Sequence, residues 1–198
     1  MKSSGPRFKV QFRRKREGRT DYRYRLKLLR AKKPRLVVRI SLRHISAQVL
    51  NFTPQGDVVL VSAHSKQLEN FGWKDGTSNL PAAYLVGLLC GYRAVKAGIR
   101  EAVLDIGMRH PTKGAKIFAV LKGALDAGLQ VPHQEEILPS EERISGTHIS
   151  KYAERLKKED ERTYMARFAS YLSQGLNPEQ LPDHFNSVKQ EVIRQLGG

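Results

Sequence analysis

The chain is poor in the residues that would mark several common protein classes. Cys90 is the only cysteine of the 198 residues, so no internal disulfide and no cysteine metal cluster can form, and a reducing interior is the expected setting. Its surroundings, LVGLLCGY, read as packed helix, which suits an inert buried thiol better than a nucleophile. The longest apolar stretch, Leu80 to Cys90, is too short to span a bilayer. The opening MKSSGPRFKV has no apolar run behind its charges and so lacks the form of a secretory signal. The six histidines include no pair at helical metal spacing, and no Ser–His or Cys–His arrangement can be argued from spacing. The stretch GMRHPTKGAK contains Gly and Lys but does not match GxxxxGK[ST], so nucleotide hydrolysis is unsupported. There is no internal repeat and no low-complexity tract. These absences leave a soluble, intracellular protein with no expected metal, cofactor, membrane or small-molecule substrate.

Acid is also scarce, but only at one end. Residues 1 to 43 hold 17 Lys and Arg against Glu17 and Asp21, whereas the other 155 residues hold 18 basic and 17 acidic side chains. Nearly all of the net charge of +16 therefore sits in the first 43 residues. Such a block repels itself unless a polyanion neutralises it. Phe8, Phe12, Tyr22 and Tyr24 are interleaved with the arginines. Arg planes and aromatic faces stack on exposed bases, and Arg forks bridge phosphate oxygens, so RNA is the polyanion this mixture suits. The plainer reading is a solvated basic tail serving solubility or import. A helix running directly into a strand counts against that reading.

Residues 1 to 13 lack helical periodicity and contain Gly5-Pro6, which suggests an extended arm. From about Thr20 to Lys33 the pattern is helical. Tyr22, Leu26 and Leu29 form a docking face, and Arg23, Lys27 and Arg30 form a basic face for RNA, with Lys33 beyond them. Pro34 stops the helix. Arg35 to Ser41 alternates Leu36, Val38 and Ile40 with Val37, Arg39 and Ser41, as a strand with one buried face does. Strands at Ile45 to Phe52 and Val58 to Ala63 complete an antiparallel meander. Arg39, Arg43 and His44 would carry the positive surface onto this sheet.

A short helix and a polar loop follow, with Trp73 either capping the core or stacking on a base. Pro81 opens a long helix near an Asn79 cap, Gly98 closes it, and Gly87 and Gly91 share a face suited to close packing. A buried strand at Glu101 to Ile106, a helix from about Lys113 to Ala127 and a short strand at Leu129 to Pro132 come next. Beyond Pro132 lie an acidic loop, a helical stretch at 147 to 174, and a helix start at Asn177-Pro-Glu-Gln180 with the Gln reaching back. A last amphipathic helix carries Phe185, Val188, Val192 and Leu196. The order predicts an α/β fold with a mixed sheet: a three-strand antiparallel meander plus parallel strands, with the two long helices against the sheet faces. Three regions are expected: a basic arm and helix over 1–33, an α/β body over 34–132, and a loop and helical C-terminal extension over 133–198.

Two weaker chemical signals remain. Asp105 at a strand end, with Asp57 and Asp126 near other element ends, admits a two-metal nuclease. The plainer reading has Asp105 cap the following loop and Asp57 serve a turn, since neither has a second carboxylate beside it in sequence. The loop before the second long helix offers backbone N–H groups, with Arg109 and Lys113, to a phosphate. An ordinary strand-to-helix connection is the alternative.

Several stretches taken together resemble a ribosomal family. GPRFKVQFRRKREGRTDYRYRLKLL, KPRLVVRIS, RHISAQVL, LVSAHS, NLPAAYLVGLLCGYRA, AVLDIG, KIFAVLKGALDAGLQVPH and LPDHFNSVKQEV occur in the order seen in large-subunit ribosomal protein eighteen, the 5S RNA carrier, in its long archaeal-type form. The resemblance covers nearly the full chain apart from residues 133 to 146 and 157 to 176. It implies a non-enzymatic structural role in the cytoplasmic ribosome: binding 5S rRNA and attaching it to the central protuberance, beside 23S-type rRNA and neighbouring proteins. It also implies RNA contacts at Arg7, Lys9, Arg13, Arg14, Lys15, Arg16, Arg19, Tyr22 and Arg23, and on the sheet at Arg39, Arg43 and His44.

Overall fold

The computed structural model describes residues 5, 6 and 8–197. In chain order its elements are helices α1 (Arg13–Arg16) and α2 (Tyr22–Arg30), strands β1 (Arg35–Ile40), β2 (Ile45–Thr53) and β3 (Gly56–His64), then helix α3 (Leu80–Lys96). Strand β4 (Val103–Asp105) and helix α4 (Lys116–Asp126) follow. Five helices close the chain: α5 (Glu141–Ile144), α6 (Thr147–Glu159), α7 (Glu161–Arg167), α8 (Ala169–Ser173) and α9 (Leu181–Leu196).

The fold class is the expected one. The sheet order is β3-β2-β1-β4, with β1, β2 and β3 antiparallel and β4 parallel to β1. Register puts Leu36 opposite Val49, Val38 opposite Ala47 and Ile40 opposite Ile45, so one face of the meander is apolar along its length. Helices α3 and α4 both lie on this face, rather than one on each. They can do so because they nearly touch: a methyl added at Gly87 would fall 2.0 Å from the Val120 carbonyl oxygen, and one at Gly123 would fall 2.1 Å from that of Tyr84. Cys90 is fully buried in α3, and burial pushes its thiol up to about 12, an unreactive value at neutral pH. Phe185, Val188 and Val192 of α9 join the same core.

The other face is not open at β1. Arg35 and Val37 are buried, against the expected alternation of one buried side. The α2 segment is tied over this side by Arg25, whose Nη2 donates to both oxygens of Asp57 at 2.8 and 2.9 Å. Asp57 is on this side because β3 bulges. Val49 pairs with Val61 but Leu50 pairs with Val59, so Leu60 is an extra residue and the parity of β3 reverses. Without the bulge, alternation from Ala63 and Val61 would turn Asp57 to the core side.

Several element boundaries differ from the sequence reading. Helix α2 is shorter than Thr20 to Lys33: Asp21 caps it by accepting from the N–H groups of Arg23 and Tyr24, and Lys32 leaves it at φ 51° before Pro34 is reached. Leu26 is 56% exposed and does not dock; Tyr22, Tyr24, Leu28 and Leu29 are the half-buried apolar and aromatic residues of the helix. The strand expected over Glu101 to Ile106 contracts to Val103–Asp105, and the strand expected at Leu129 to Pro132 is only a parallel bridge from Gln130 to Glu101. Helix α4 starts three residues after Lys113, because Gly114 is left-handed at φ 69° and gives its N–H to the Ile137 carbonyl. The stretch 147 to 174 is three helices, broken where Asp160 is extended and caps α7 through the Thr163 N–H. Gln180 makes no reach-back cap bond. Trp73 is buried with its ring stacked 5.2 Å from that of His184, which leaves it no face for a base.

Candidate nucleic-acid interface

The basic segment is built from local signals. Helix α1 is a single turn whose four residues, Arg13, Arg14, Lys15 and Arg16, are all exposed. A one-turn helix of cations cannot stabilise itself. Here Arg13 Nε reaches Glu17 at 2.8 Å, Arg19 reaches the same carboxylate at 3.1 Å, and Arg14 Nε donates to Thr20 Oγ1 at 2.9 Å. The ring of Tyr22 packs 5.2 Å from that of Phe12, joining the arm to α2. Among the described residues, Lys9, Arg14, Lys15, Arg16, Arg23, Lys27, Arg30 and Arg43 have no acidic partner, and all eight are exposed. These charges face water and repel one another, the condition in which a polyanion gains most from binding. Arg7 lies outside the described residues.

Beneath α2 the charges alternate and cancel. Arg35, almost fully buried, sends Nη1 to Asp105 Oδ2 at 2.7 Å, while its Nη2 stands 2.8 Å from Asp57 Oδ2 as a charge contact without a directed hydrogen bond. Asp105 Oδ1 accepts from Arg39 Nη2 at 3.0 Å and from the Gly107 N–H at 2.9 Å. Asp105 thus does cap its loop, as the plainer reading held. The structure also brings Asp57 and Asp105 together, although neither has a carboxylate neighbour in sequence. They meet across the Arg35 guanidinium, which fills the place a shared cation would need, so the pair is a charge-compensated lattice and not a set of free metal-ligating oxygens. Among the described residues no group of three or more His, Cys, Asp or Glu is placed to hold a metal ion.

The remaining candidates scatter. Arg39 faces the cleft beside α2, but Lys33 pairs with Glu101 at its other end. Arg43 is exposed in the turn between β1 and β2. His44 turns inward, with Nδ1 3.3 Å from Ser65 Oγ and 3.2 Å from Thr77 Oγ1. Arg109 donates to the Ile40 carbonyl at 2.5 Å, and Lys113 is paired with Glu136 at 2.9 Å. The Gly114 N–H is taken by Ile137, so it is not among the backbone groups this loop could offer a phosphate. Sequence reasoning missed Arg25 and named Tyr24 only among the aromatics interleaved with the arginines; both line the cleft with Arg39. Their signal was present: with Asp21 and Leu28 they sit at helical spacing on the side of α2 away from Arg23, Lys27 and Arg30.

A family model described as ribosomal large subunit proteins 60S L5 and 50S L18 matches residues 6–102 and 96–134. The match runs from the basic arm through α4 to the residues after the Gln130 bridge, and it includes every cationic residue named above.

Proposed function

This chain belongs to the family of ribosomal large subunit proteins 60S L5 and 50S L18, and we propose that it binds 5S rRNA and holds it on the large subunit at the central protuberance. Membership makes it a structural protein of the large ribosomal subunit, with ribosomal RNA and neighbouring ribosomal proteins as its partners. The choice of 5S rRNA, and of the surface that grips it, rests on the argument that follows.

One observation carries the proposal: nearly all of the net charge lies in residues 1 to 43, and among the described residues most of the cations there that lack an acidic partner stand exposed on α1 and α2. Lys9, Arg14, Lys15, Arg16, Arg23, Lys27 and Arg30 would track phosphates and set register, with Arg43 continuing the surface at the hairpin turn. The body behind them is close to neutral and supplies rigidity. Selectivity would come from RNA shape and from unpaired bases, because the deep groove of an RNA helix is closed to side chains.

The test is binding of a 5S rRNA transcript by the wild-type chain and by a Arg23→Ala, Lys27→Ala, Arg30→Ala triple variant, across a salt series. All three side chains are exposed, so the fold should be unaffected. Each lost phosphate contact should flatten the slope of log affinity against log salt by about 0.7–0.9. Equal affinity and equal slope in the two proteins would refute the assignment of the surface. A wild-type chain that prefers other RNA of the same length would refute the assignment to 5S rRNA.

A further inference from the structure

Between α2 and the outer face of the sheet lies a cleft of about 440 Å³, within the range of sites that hold one small organic group. Its walls include four arginines (Arg14, Arg19, Arg25 and Arg39) but also Asp21, Asp57 and Asp105. A backbone phosphate entering this space would meet three carboxylates. A neutral, planar group carrying both donors and acceptors would not be repelled.

Arg39 sets the character of the floor. Its Nη1 donates to the carbonyls of Val38 and Asp105 at 2.9 and 2.8 Å, and its Nη2 donates to Asp105 Oδ1. Three of its five N–H groups are therefore spent on the protein, and the plane is fixed. Gly107 lies flat against one face: a Cβ built there would sit 3.1 Å from Cζ and 3.3 Å from both Nη1 and Nη2, which places it over the plane and not at an edge. The side chain is nonetheless 49% exposed. With its plane fixed and three of its N–H groups spent on the protein, this half-exposed guanidinium offers a stacking surface more than a phosphate fork. Tyr24, half-buried on the α2 wall, has no hydrogen-bond partner for its hydroxyl among the described residues. It can complete a polar edge. Met108, 56% exposed, stands at the lip.

We propose that this cleft receives an unpaired nucleobase of the bound RNA, stacked on the Arg39 guanidinium with Tyr24 beside it. The inference rests on the RNA-binding function proposed above and gives that surface a base-reading element that its exposed cations lack. Bases splayed from loops and bulges are recognised in this way, by a planar side chain below and hydrogen-bonding groups at the edge.

The test probes base reactivity and backbone protection of 5S rRNA bound to the full chain, comparing the wild type with Arg39→Lys and Met108→Trp. Arg39→Lys keeps the charge and removes the plane. Met108→Trp fills the mouth from an exposed position away from the ion pairs, and so tests the cleft even if the first variant folds poorly. At least one unpaired base should be protected by the wild type and regain its free reactivity with either variant, while backbone protection persists. Affinity should fall about five- to 150-fold, the range one stacked base supplies, with the salt slope unchanged. Wild-type binding with no base protected, or protection retained in both variants, would overturn the inference and leave the proposed function standing. No binding of 5S rRNA by the wild type would overturn the proposed function and this inference with it.

Discussion

Arg35 and Asp105 face each other across the parallel β1–β4 pair, Nη1 2.7 Å from Oδ2, with only 2% and 7% of their side chains exposed. Asp57 approaches the same guanidinium from β3, and Arg25 and Arg39 extend the chain of alternating charges on either side. The outer face of the sheet is thus a surface where the basic segment is anchored by compensation, while its remaining cations are left turned outward. A buried charge left without its partner is costly, because burial removes the solvation that would otherwise hold it.

Asp105→Asn should therefore destabilise the fold by about 3–5 kcal/mol, since Arg35 keeps its charge and loses its closest counter-ion. Urea denaturation followed by circular dichroism measures this. An unchanged midpoint would mean that Arg35 is solvated and the lattice is not structural.

The contact of α3 with α4 depends on the absence of side chains at two positions. Gly87→Ala should cost about 1–3 kcal/mol or more, because the added methyl would meet the Val120 carbonyl and backbone cannot yield as a side chain would. A melting curve within error of the wild type would show that the two helices separate easily.

Leu26 stands on the solvent side of α2, not on its docking side. Leu26→Ala should shift stability by no more than about 0.5 kcal/mol. A loss of several times that, in the same denaturation assay, would put Leu26 back in a packed interface.

Acid should loosen the attachment of α9. His184 stacks on Trp73, and its Nε2 accepts the Lys74 N–H at 3.1 Å, a role open only to the neutral ring. Burial, and then the charge of Lys74, holds its pKa below the ordinary value of 6.5. The neutral form is thus favoured in the fold, so its stabilisation is complete above the ordinary value and is lost as pH falls through the lowered one. Nearby Asp75, raised by burial despite bonds from Tyr171, Gly76 and Asn79, acts with the opposite sign: it favours the protonated form, and its effect sets in as pH rises past its ordinary 3.8. Thermal melts from pH 7.5 to 5 should show falling stability, and His184→Gln should lose part of that dependence. Parallel profiles for the two proteins would remove His184 from this role.

Arg30 and Lys113 should contribute unequally to RNA binding. Arg30 has no acidic partner among the described residues, whereas Lys113 already sits 2.9 Å from Glu136. Arg30→Ala should reduce the salt slope by about 0.7–0.9 and Lys113→Ala by less. Equal reductions would return the loop before α4 to the interface.

Much of this protein was legible in the order of its residues. The meander followed from alternation at Leu36, Val38 and Ile40. The Asn79 cap and Pro81 marked the start of α3, and the confinement of charge to the first 43 residues pointed to a polyanion. These are local or compositional properties, set by backbone stereochemistry, solvation and net charge, and they need no knowledge of what lies nearby in space. Tertiary structure alone decided which charges remain available. Arg25, Arg35 and Lys33 look like Arg30 and Lys27 in sequence, yet the first three are paired with Asp57, Asp105 or Glu101 and the last two are not. One extra residue at the β3 bulge turned Asp57 toward Arg35, and a left-handed Gly107 came to lie against one face of the Arg39 guanidinium. Pairing of charges depends on distances between residues tens of positions apart, and a single inserted residue reverses a strand's two faces, so neither could be read along the chain.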